Sequence, residues 1–411
     1  MGKRREIVVQ KYGGSSVATV EKIKRVAKNI IDYKKKGFSV ISVVSALGDT
    51  TDELISLAAK ITKHPKEREF DMLISTGEQV SSALLAMAIH DMGYKAIAFT
   101  GFQVGIITDG VFTRARIVKI NADRIKSELK RGKVVVVAGF QGVNIDMDIT
   151  TLGRGGSDLT AVALTKGVNA DICEIYTDVK GVYTADPRIV KEAKRISKIC
   201  YDEMLEMASL GAQVMQARSI EFAKKNNVKI HVRSSFSKGE GTIIMGEVKS
   251  MENIYVTGVA VDKKEAKVTI CDVPDKPGIA ALIFSRISSE NISVDMIVQN
   301  VSRKGYTDLS FTVPKTDLTR TVSIAKLVAS DIKATGVIID DKIAKISVVG
   351  VGMRSHAGIA AGMFQALADN KINIEMISTS EIKISCVIDV KHAEEAVRIL
   401  HKVFKLHNIK R

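Results

Sequence analysis

Apolar runs of strand length alternate with helical segments through the first 250 residues, and this alternation limits the folds open to the chain. Buried-strand runs separated by helices predict a largely parallel sheet, covered on both faces and joined by right-handed crossovers. Ligands of such sheets bind at the carboxyl ends of the strands. The predicted strands are 6–11, 38–46, 95–100, 133–139 and 170–177, and the predicted helices are about 17–36, 51–63 and 77–92.

The last 160 residues contain an internal repeat. Residues 277–297 and 357–377 align without a gap at an offset of 80, with eight identities in 21 positions. Each copy has the pattern strand, loop, helix and strand, so we predict two βαββαβ units after a boundary near 248–262. The strands predicted for them are 266–274 and 291–299 in the first copy, and 345–352 and 373–379 in the second.

Composition excludes several classes of protein. A chain of 411 residues is long enough for about two or three domains. Its net charge of +15 is spread over helical faces without aromatic interleaving, which favours a solvated basic surface over nucleic-acid binding. The longest apolar runs are strand-length, so no membrane span is expected. The basic start has no apolar signal region, and we expect a cytoplasmic protein.

Cysteine and histidine usage predicts neither a disulfide nor a metal cage. The four cysteines lie far apart with no C-x-x-C pair, which is typical of free thiols in a reducing compartment. None of the seven histidines forms an H-x-x-x-H pair beside a carboxylate. No protein-bound metal site is therefore predicted.

The segment KYGGSS (11–16) follows the first predicted strand. Gly13 and Gly14 let backbone N–H groups approach an anion closely, and the helix predicted to follow would aim its positive dipole end at the same point. Lys11 supplies a full charge for phosphate groups. A simple strand–helix turn with an incidental lysine remains the alternative for this motif alone. The Walker and protein-kinase motifs are both missing.

The segment TLGRGGSD (151–158) places Arg154 between glycines, where its planar fork suits a carboxylate. Ser157 and Asp158 start the next predicted helix and could serve as caps alone. Glu78 lies in the first turn of another helix, where an acid also stabilises the dipole. Further polar clusters at strand ends are VSALGDTTDEL (44–54) and YTDVKGVYTADPR (176–188).

Taken in order, KYGGSS, VSALGDTTDEL, STGEQVSS, TLGRGGSD and YTDVKGVYTADPR resemble the aspartokinases of the amino-acid kinase superfamily. The C-terminal repeat is similar to their paired ACT domains. The resemblance implies an α/β fold with a mostly parallel sheet between helices, followed by two ferredoxin-like ACT units. The implied domains are a catalytic domain at 1–248, a first ACT domain at 262–342 and a second at 343–411.

The resemblance also implies an activity. Aspartokinases use ATP and Mg²⁺ to phosphorylate the side-chain carboxylate of L-aspartate, giving 4-phospho-L-aspartate for lysine, threonine, methionine and diaminopimelate biosynthesis. A carboxylate is already ionised at neutral pH and needs no general base. Catalysis then rests on positioning and on neutralising charge on the transferring phosphoryl group.

The site residues implied by the resemblance fall into three groups. Those expected at ATP are Lys11, Gly13, Gly14, Ser15, Ser45, Ser157, Thr177, Asp178, Tyr183, Asp186 and Arg188. Those expected at aspartate are Thr50, Glu78, Arg154, Gly155, Gly156 and Ser157, with Glu78 on the ammonium and Arg154 on the α-carboxylate. Lys11, Arg154 and Asp158 form the catalytic group, in which Asp158 orients Lys11. Mg²⁺ is expected on phosphate oxygens and water, with no protein ligand set.

The ACT pair implies feedback inhibition by lysine, threonine or both, and a homo-oligomer formed through these domains. The residues expected around the effector are Asp275, Gly278, Ile279, Gln299, Asn373, Ile374, Ser380 and Glu381. Ordinary packing is the alternative for each of them. Gln213 replaces a lysine found in many relatives, which would weaken one contact to the nucleotide. Met251 is either a linker residue or an internal start.

Alternative functions remain open from sequence alone. Glutamate 5-kinase, acetylglutamate kinase and UMP kinase share the sheet and the phosphate loops, but they are not expected to carry this repeat. A non-catalytic amino-acid sensor or a basic RNA-binding regulator would need a decayed kinase domain. Lys11, Glu78, Arg154 and Asp158 are all present, which argues against decay.

Overall fold

The structure is a computed structural model that describes residues 6–209, 214–246, 256–300, 305–355 and 358–409. The described chain divides into two compact units. The first holds residues 6–183 and 195–246, and the second holds 184–194 and the described residues from 256 onward. The short segment 184–194 therefore leaves the first unit and folds with the second.

Twelve strands and nine helices are described in the first unit. The strands are β1 (Ile7–Tyr12), β2 (Ser39–Val44), β3 (Ala96–Phe99), β4 (Ile106–Thr108), β5 (Ile117–Ile120), β6 (Val134–Ala138), β7 (Gln141–Val143), β8 (Ile149–Thr151), β9 (Ile172–Thr177), β10 (Lys198–Cys200), β11 (Ile230–Ser234) and β12 (Thr242–Met245). The helices are α1 (Gly14–Val17), α2 (Val20–Lys35), α3 (Thr50–Ile61), α4 (Glu67–Ile74), α5 (Thr76–Asp91), α6 (Asp123–Lys130), α7 (Gly156–Val168), α8 (Tyr201–Ser209) and α9 (Ala217–Asn226).

The predicted parallel sheet is confirmed. Its eight strands run in the order β10-β12-β11-β9-β1-β2-β6-β3, and among the strands described only β11 and β12 pair antiparallel. Every residue of β2 and of β6 is buried, as expected for central strands covered by helices on both faces. A smaller sheet, β5-β4-β7-β8, lies beside the segment that leads to Arg154.

The helix predicted over about 17–36 is observed as α2, and a separate short helix, α1, precedes it. A single turn, α1, ends at Val17, and α2 begins at Val20 after Thr19, whose side chain accepts a hydrogen bond from the Lys22 N–H at 3.4 Å. This cap satisfies a donor that a continuous helix would have paired internally, so α2 starts anew. The helix that follows Gly13 directly is therefore the single turn α1.

Among the described residues, the stretch Glu67–Asp91 is long enough and apolar enough to cross a membrane. It comprises α4 and α5, and half of its most apolar window is buried in the first unit. Buried members of α5 such as Leu85, Ala86 and Ile89 belong to the same core as β1 and β2. The stretch is thus packed as a core helix of a folded domain.

Each repeat of the second unit forms a four-stranded antiparallel sheet with helices. The elements are β13 (Gly258–Asp262), β14 (Glu265–Pro274), α10 (Ile279–Ser289), β15 (Ile297–Gln299), β16 (Tyr306–Pro314), α11 (Leu318–Asp331), β17 (Gly336–Asp340), β18 (Ile343–Val349), α12 (Ile359–Asp369), β19 (Met376–Thr379), β20 (Lys383–Asp389) and α13 (Ala393–Val403). The sheet orders are β15-β16-β14-β17 and β13-β18-β20-β19. Because β13 pairs with β18, the first repeat is inserted into the second.

Ion pairs between equivalent positions join the two repeats. Lys345 stands 80 residues after Glu265, and its Nζ lies 2.9 Å from Glu265 Oε1 while also contacting Asp295. Reciprocally, Glu375 stands 80 residues after Asp295 and contacts Lys267. The acid before β15 thus binds a lysine of β18, and the acid before β19 binds a lysine of β14. Lys345 is almost fully buried, so its charge depends on these carboxylates.

We predict that Lys345→Met lowers the free energy of unfolding of the second unit by about 3–5 kcal/mol, because two carboxylates lose their counter-ion. Urea titration monitored by circular dichroism measures the change. Lys402→Met, at an exposed position of α13, is the control and should leave the midpoint unchanged. Adding Glu265→Gln and Asp295→Asn should recover most of the loss. Equal midpoints for Lys345→Met and the wild type would contradict the assignment.

Candidate active site

Four adjacent strands of the large sheet, β9, β1, β2 and β6, end at the same edge, where parallel α/β sheets bind ligands. Backbone hydrogen bonds connect the loops that follow them. Gly13 N–H donates to Tyr176 O at 3.3 Å, and Gly139 N–H donates to Val44 O at 3.0 Å. The loops after these strands therefore start from fixed positions.

Lys11 and Asp158 bring the two glycine loops together. Lys11 Nζ lies 2.6 Å from Asp158 Oδ1, and the two side chains are 13% and 9% exposed. Lys11 is the penultimate residue of β1, and Asp158 lies in the first turn of α7, four residues after Arg154. Nζ is also near Gly13, where an added Cβ would stand 3.6 Å from it. The cation is thus held over the loop that was predicted to receive phosphates.

Gly14 makes the closest backbone approach in this loop. A Cβ at this position would lie 2.9 Å from Ala46 O and 3.0 Å from Gly48 O, so any larger residue would push the two loops apart. Gly48 N–H donates to Gly14 O at 3.2 Å. Ser45 and Thr50 belong to this second loop and the helix after it, so the structure places them beside the KYGGSS segment. Ser15 is exposed at the same edge.

Glu78 is buried with one oxygen unsatisfied. Its Oε1 accepts a hydrogen bond from the Ala46 N–H at 3.2 Å, and Oε2 has no partner among the described residues. Burial raises the pKa of Glu78 to about 7, although the Ala46 N–H and the charge of Lys11 act to lower it. A buried carboxylate with a free oxygen is suited to receive an ammonium group.

Arg154 lies on an exposed turn whose glycines are required by the backbone. Gly153 and Gly155 have φ of +75° and +69°, and a Cβ on Gly155 would stand 1.7 Å from Gln216 Cγ. Arg154 forms no ion pair with any residue that the structure describes, so its guanidinium is available to an anion. Gly156 and Ser157 follow as the buried first residues of α7.

Gly139 was missed by sequence reasoning. A Cβ there would lie 2.7 Å from Ser157 Oγ, so the end of β6 is closed against the start of α7. The signal was present as a glycine directly after the run VVVVA, in the same position relative to its strand as the glycine after Tyr12. Ser235, whose Oγ is 2.6 Å from Ser16 Oγ, was missed as well because one serine after a strand carries no distinctive pattern.

The residues predicted at the nucleotide divide between the two units. Thr177 Oγ1 donates to Asp178 Oδ1 at 3.0 Å at the end of β9, and Tyr183 forms a bridge with Arg195 in the first unit. Asp186 and Arg188 instead lie in segment 184–194 of the second unit, where they form an exposed ion pair at 2.7 Å.

No group of three or more His, Cys, Asp or Glu side chains able to hold a metal ion occurs among the described residues. Burial raises the pKa of the Cys173, Cys200 and Cys386 thiols to about 12, and these cysteines are free. Gln213 and Met251 lie outside the described residues.

The residues predicted at the effector lie in the second unit. Gly278 has φ of +94° before α10, and Gly358, 80 residues later, has φ of +107° before α12. Asn373 and Ile374 line an open cavity of about 510 Å³ with Phe364 and Lys371. The remaining positions are Asp275 directly after β14, Ile279 at the start of α10, Gln299 at the end of β15, and Ser380 and Glu381 in the turn between β19 and β20.

Comparisons with known proteins match both units of the chain. The amino acid kinase family matches residues 6–234, and the ACT domain matches 272–326 and 346–404. Aspartokinase of Pseudomonas aeruginosa is 53% identical over 402 residues, with 97% of this chain and 98% of that protein covered. Aspartate kinase Ask_LysC of Stutzerimonas stutzeri is 52% identical over 401 residues, with 97% of each covered. E. coli aspartokinase III, solved with aspartate and ADP, is 25% identical over 97% of this chain and 99% of that chain, with a TM-score of 0.80.

Proposed function

The chain belongs to the aspartokinases of the amino acid kinase family, and on that premise we propose how its strand-end residues divide the work of phosphorylating L-aspartate. The reaction transfers the γ-phosphoryl group of ATP to the side-chain carboxylate and yields 4-phospho-L-aspartate. The observation that carries the proposal is the Lys11–Asp158 ion pair, which joins the phosphate loop to the loop that bears Arg154.

Lys11 and the backbone of Gly13 and Gly14 would hold the phosphates. The transferring phosphoryl group carries its charge on oxygens, so a fixed ammonium stabilises it without covalent chemistry. Asp158 holds that ammonium in place and would keep it from following the departing ADP. Mg²⁺ would arrive on the phosphate oxygens of ATP, which fits a site without a carboxylate cluster among the described residues.

Glu78 and Arg154 would bind the two fixed charges of aspartate. Within the part of the chain that the structure describes, Glu78 Oε2 and the guanidinium of Arg154 have no partner, which supports roles on the ammonium and on the α-carboxylate respectively. With both ends held, the side-chain carboxylate would face the phosphate loop as the nucleophile. Thr50, Gly155, Gly156 and Ser157 would complete this part of the site.

The remaining nucleotide contacts would come from Ser15, Ser45, Ser157, Thr177, Asp178 and Tyr183. Asp186 and Arg188, which form an ion pair with each other at 2.7 Å, would complete the nucleotide set.

The second unit would bind lysine, threonine or both as feedback inhibitors and join subunits into a homo-oligomer. The ACT domains and the family's place at the start of lysine and threonine biosynthesis support this role. A cytoplasmic location suits a biosynthetic enzyme with free buried thiols. Assays with each amino acid alone and with both together would identify the effector. Deleting the unit is a poor test, because Ala185 and Val190 would lose the core that buries them.

We predict that purified protein with MgATP forms a hydroxamate-trappable acyl phosphate with L-aspartate. Under the same conditions L-glutamate should give background signal, because its longer side chain would misplace the reacting carboxylate at the phosphate loop once Glu78 and Arg154 hold its other two charges. N-acetylglutamate should also give background signal, because its acetylated amine carries no charge for Glu78. Isothermal titration with MgATP and with aspartate is the independent readout. Absence of turnover together with absence of binding would favour the non-catalytic sensor.

We predict that Arg154→Ala raises the aspartate KM by about thirtyfold or more, the loss expected for one charge-assisted bidentate contact. The ATP KM should change by less than about twofold, because the guanidinium carries no phosphate in this account. Steady-state kinetics with each substrate varied in turn give both values. An unchanged aspartate KM would remove Arg154 from the substrate site.

A further inference from the structure

Two charged side chains of the first unit lie next to the segment that leads to Arg154. Asp71 of α4 is fully buried, and Arg218 of α9 is partly buried. Neither forms an ion pair with a described residue, and each is satisfied instead by groups of two chain segments, 113–115 and 151–152. We call these two residues the clamp.

Asp71 binds the donors of both segments. Its Oδ2 accepts from the Thr113 N–H at 2.8 Å and from the Thr151 N–H at 2.7 Å, while its Oδ1 accepts from Thr151 Oγ1 at 2.7 Å. Burial raises the pKa of Asp71, and these hydrogen bonds act to lower it. A carboxylate can accept all three bonds at once, which an amide cannot do in the same position.

Arg218 binds the acceptors of the same two segments. One guanidinium nitrogen donates to Leu152 O at 2.8 Å, and the other donates to Ala115 O at 2.5 Å. The segments also bond directly, through the Ala115 N–H to Thr151 O at 2.9 Å. Asp71 therefore accepts hydrogen bonds from N–H groups of both segments, and Arg218 donates to a carbonyl of each. Two opposite charges thus fix the same two segments of backbone.

The clamped residues lead straight into the arginine turn. Leu152 is followed by Gly153, where an added Cβ would stand 3.2 Å from Thr113 O, and then by Arg154. On the far side, Gly155 is packed against Gln216, two residues before Arg218. The exposed Arg154 turn thus begins directly after residues that Asp71 of α4 binds, and it ends in contact with Gln216, directly before α9.

We propose that Asp71 and Arg218 are positioning residues for aspartate, which hold the Arg154 turn where its guanidinium meets the α-carboxylate of the substrate. The inference rests on the proposed role of Arg154. It adds that the exposed arginine is effective only because its flanking backbone is fixed from both sides. Neither clamp residue contacts the substrate.

The test uses Asp71→Asn and Arg218→Lys in the full-length enzyme, with kcat and KM measured for both substrates. Asp71→Asn puts an amide donor against backbone donors, and Arg218→Lys keeps the charge but cannot reach both carbonyls. Each should raise the aspartate KM by about tenfold. The ATP KM should stay within about twofold of the wild-type value.

The control is Glu128→Gln in α6, which removes a buried carboxylate's ion pairs with Lys133 and Arg131. This variant loses stability without touching either segment, so its aspartate KM should match the wild type. If Asp71→Asn and Glu128→Gln lower the thermal midpoint equally and both leave the aspartate KM at its wild-type value, the clamp is merely structural and the inference fails.

A double-mutant cycle with Arg154→Ala separates the inference from its premise. If the clamp acts through Arg154, Asp71→Asn should raise the aspartate KM in the wild type and have little further effect in Arg154→Ala. Full additivity would overturn the positioning role while leaving Arg154 in the site. An unaltered KM in Arg154→Ala alone would instead overturn the proposed aspartate site. Should Asp71→Asn fail to fold, Arg218→Lys carries the same cycle.

Discussion

Lys11→Ala is expected to lower kcat by about a thousandfold, the scale on which enzymes lose rate when a fixed charge at the transferring phosphoryl group is removed. Lys11 supplies the ammonium held at the end of β1, and Asp158 keeps it 2.6 Å away over the glycine loop. Because the charge acts on the transition state, kcat should fall far more than the aspartate KM rises. Coupled assays of ADP release, with hydroxamate trapping of the product, measure the change.

Loss of Lys11 also leaves Asp158 buried and unpaired, so stability needs its own control. Lys11→Ala with Asp158→Asn removes both charges and should recover the thermal midpoint while activity stays low. Lys24→Ala removes one positive charge from an exposed position of α2 and should keep wild-type turnover. Near wild-type kcat in a folded Lys11→Ala variant would show that Lys11 does not act on the phosphoryl group.

Glu78→Gln is expected to raise the aspartate KM about a hundredfold, because a buried charge pair with the substrate ammonium is lost. The pKa of about 7 adds a pH signature in the wild type. Below that pH Glu78 is protonated and cannot pair with an ammonium, so kcat/KM for aspartate should fall as pH drops from about 8 to 6. In Glu78→Gln this limb should disappear. A wild-type limb that persists in the variant would assign it to another group.

The same substitution should make the free enzyme more stable at alkaline pH. The pKa of Glu78 is raised by folding, so the folded state holds its proton more tightly than the unfolded chain does. The free energy of unfolding therefore falls as pH rises through the window from about 4.5 to about 7, by roughly 3 kcal/mol in all. Glu78→Gln removes that penalty, so its stability advantage should appear above pH 7 and vanish near pH 4. Urea titrations at both pH values measure it, and a destabilised variant at pH 8 would contradict the burial argument.

The sequence allowed prediction of the sheet and of the edge where the site lies. The spacing of apolar residues and the length of an apolar run are local properties of the sequence. Every residue of β2 and of β6 is buried, as their apolar runs indicate. The pairing of Lys11 with Asp158 is different, because no spacing rule joins residues so far apart. That expectation came from the family resemblance, and the ion pair in the structure is its physical counterpart.

Contacts that depend on the tertiary fold escaped prediction. Val190 and Ala185 have ordinary apolar side chains, and nothing local indicates that they pack with the second unit rather than the first. Asp71 and Arg218 were missed because each binds backbone groups. Backbone groups are the same in almost every residue, so such contacts leave no pattern in the sequence. The 80-residue offset indicated two repeats but not how the repeats contact each other. Glu265 and Lys345 occupy equivalent positions with opposite charges, and only the fold shows that these two positions face each other.

The central claim is that the Lys11 and Arg154 loops open on one pocket that holds nucleotide and aspartate together. A crystal structure of the full chain with ADP, Mg²⁺ and aspartate tests it most directly. We predict Lys11 Nζ within about 3 Å of a phosphate oxygen, and the guanidinium of Arg154 within about 3 Å of the substrate α-carboxylate in the same cavity. Aspartate bound away from Arg154, or ADP bound away from Lys11, would contradict the account.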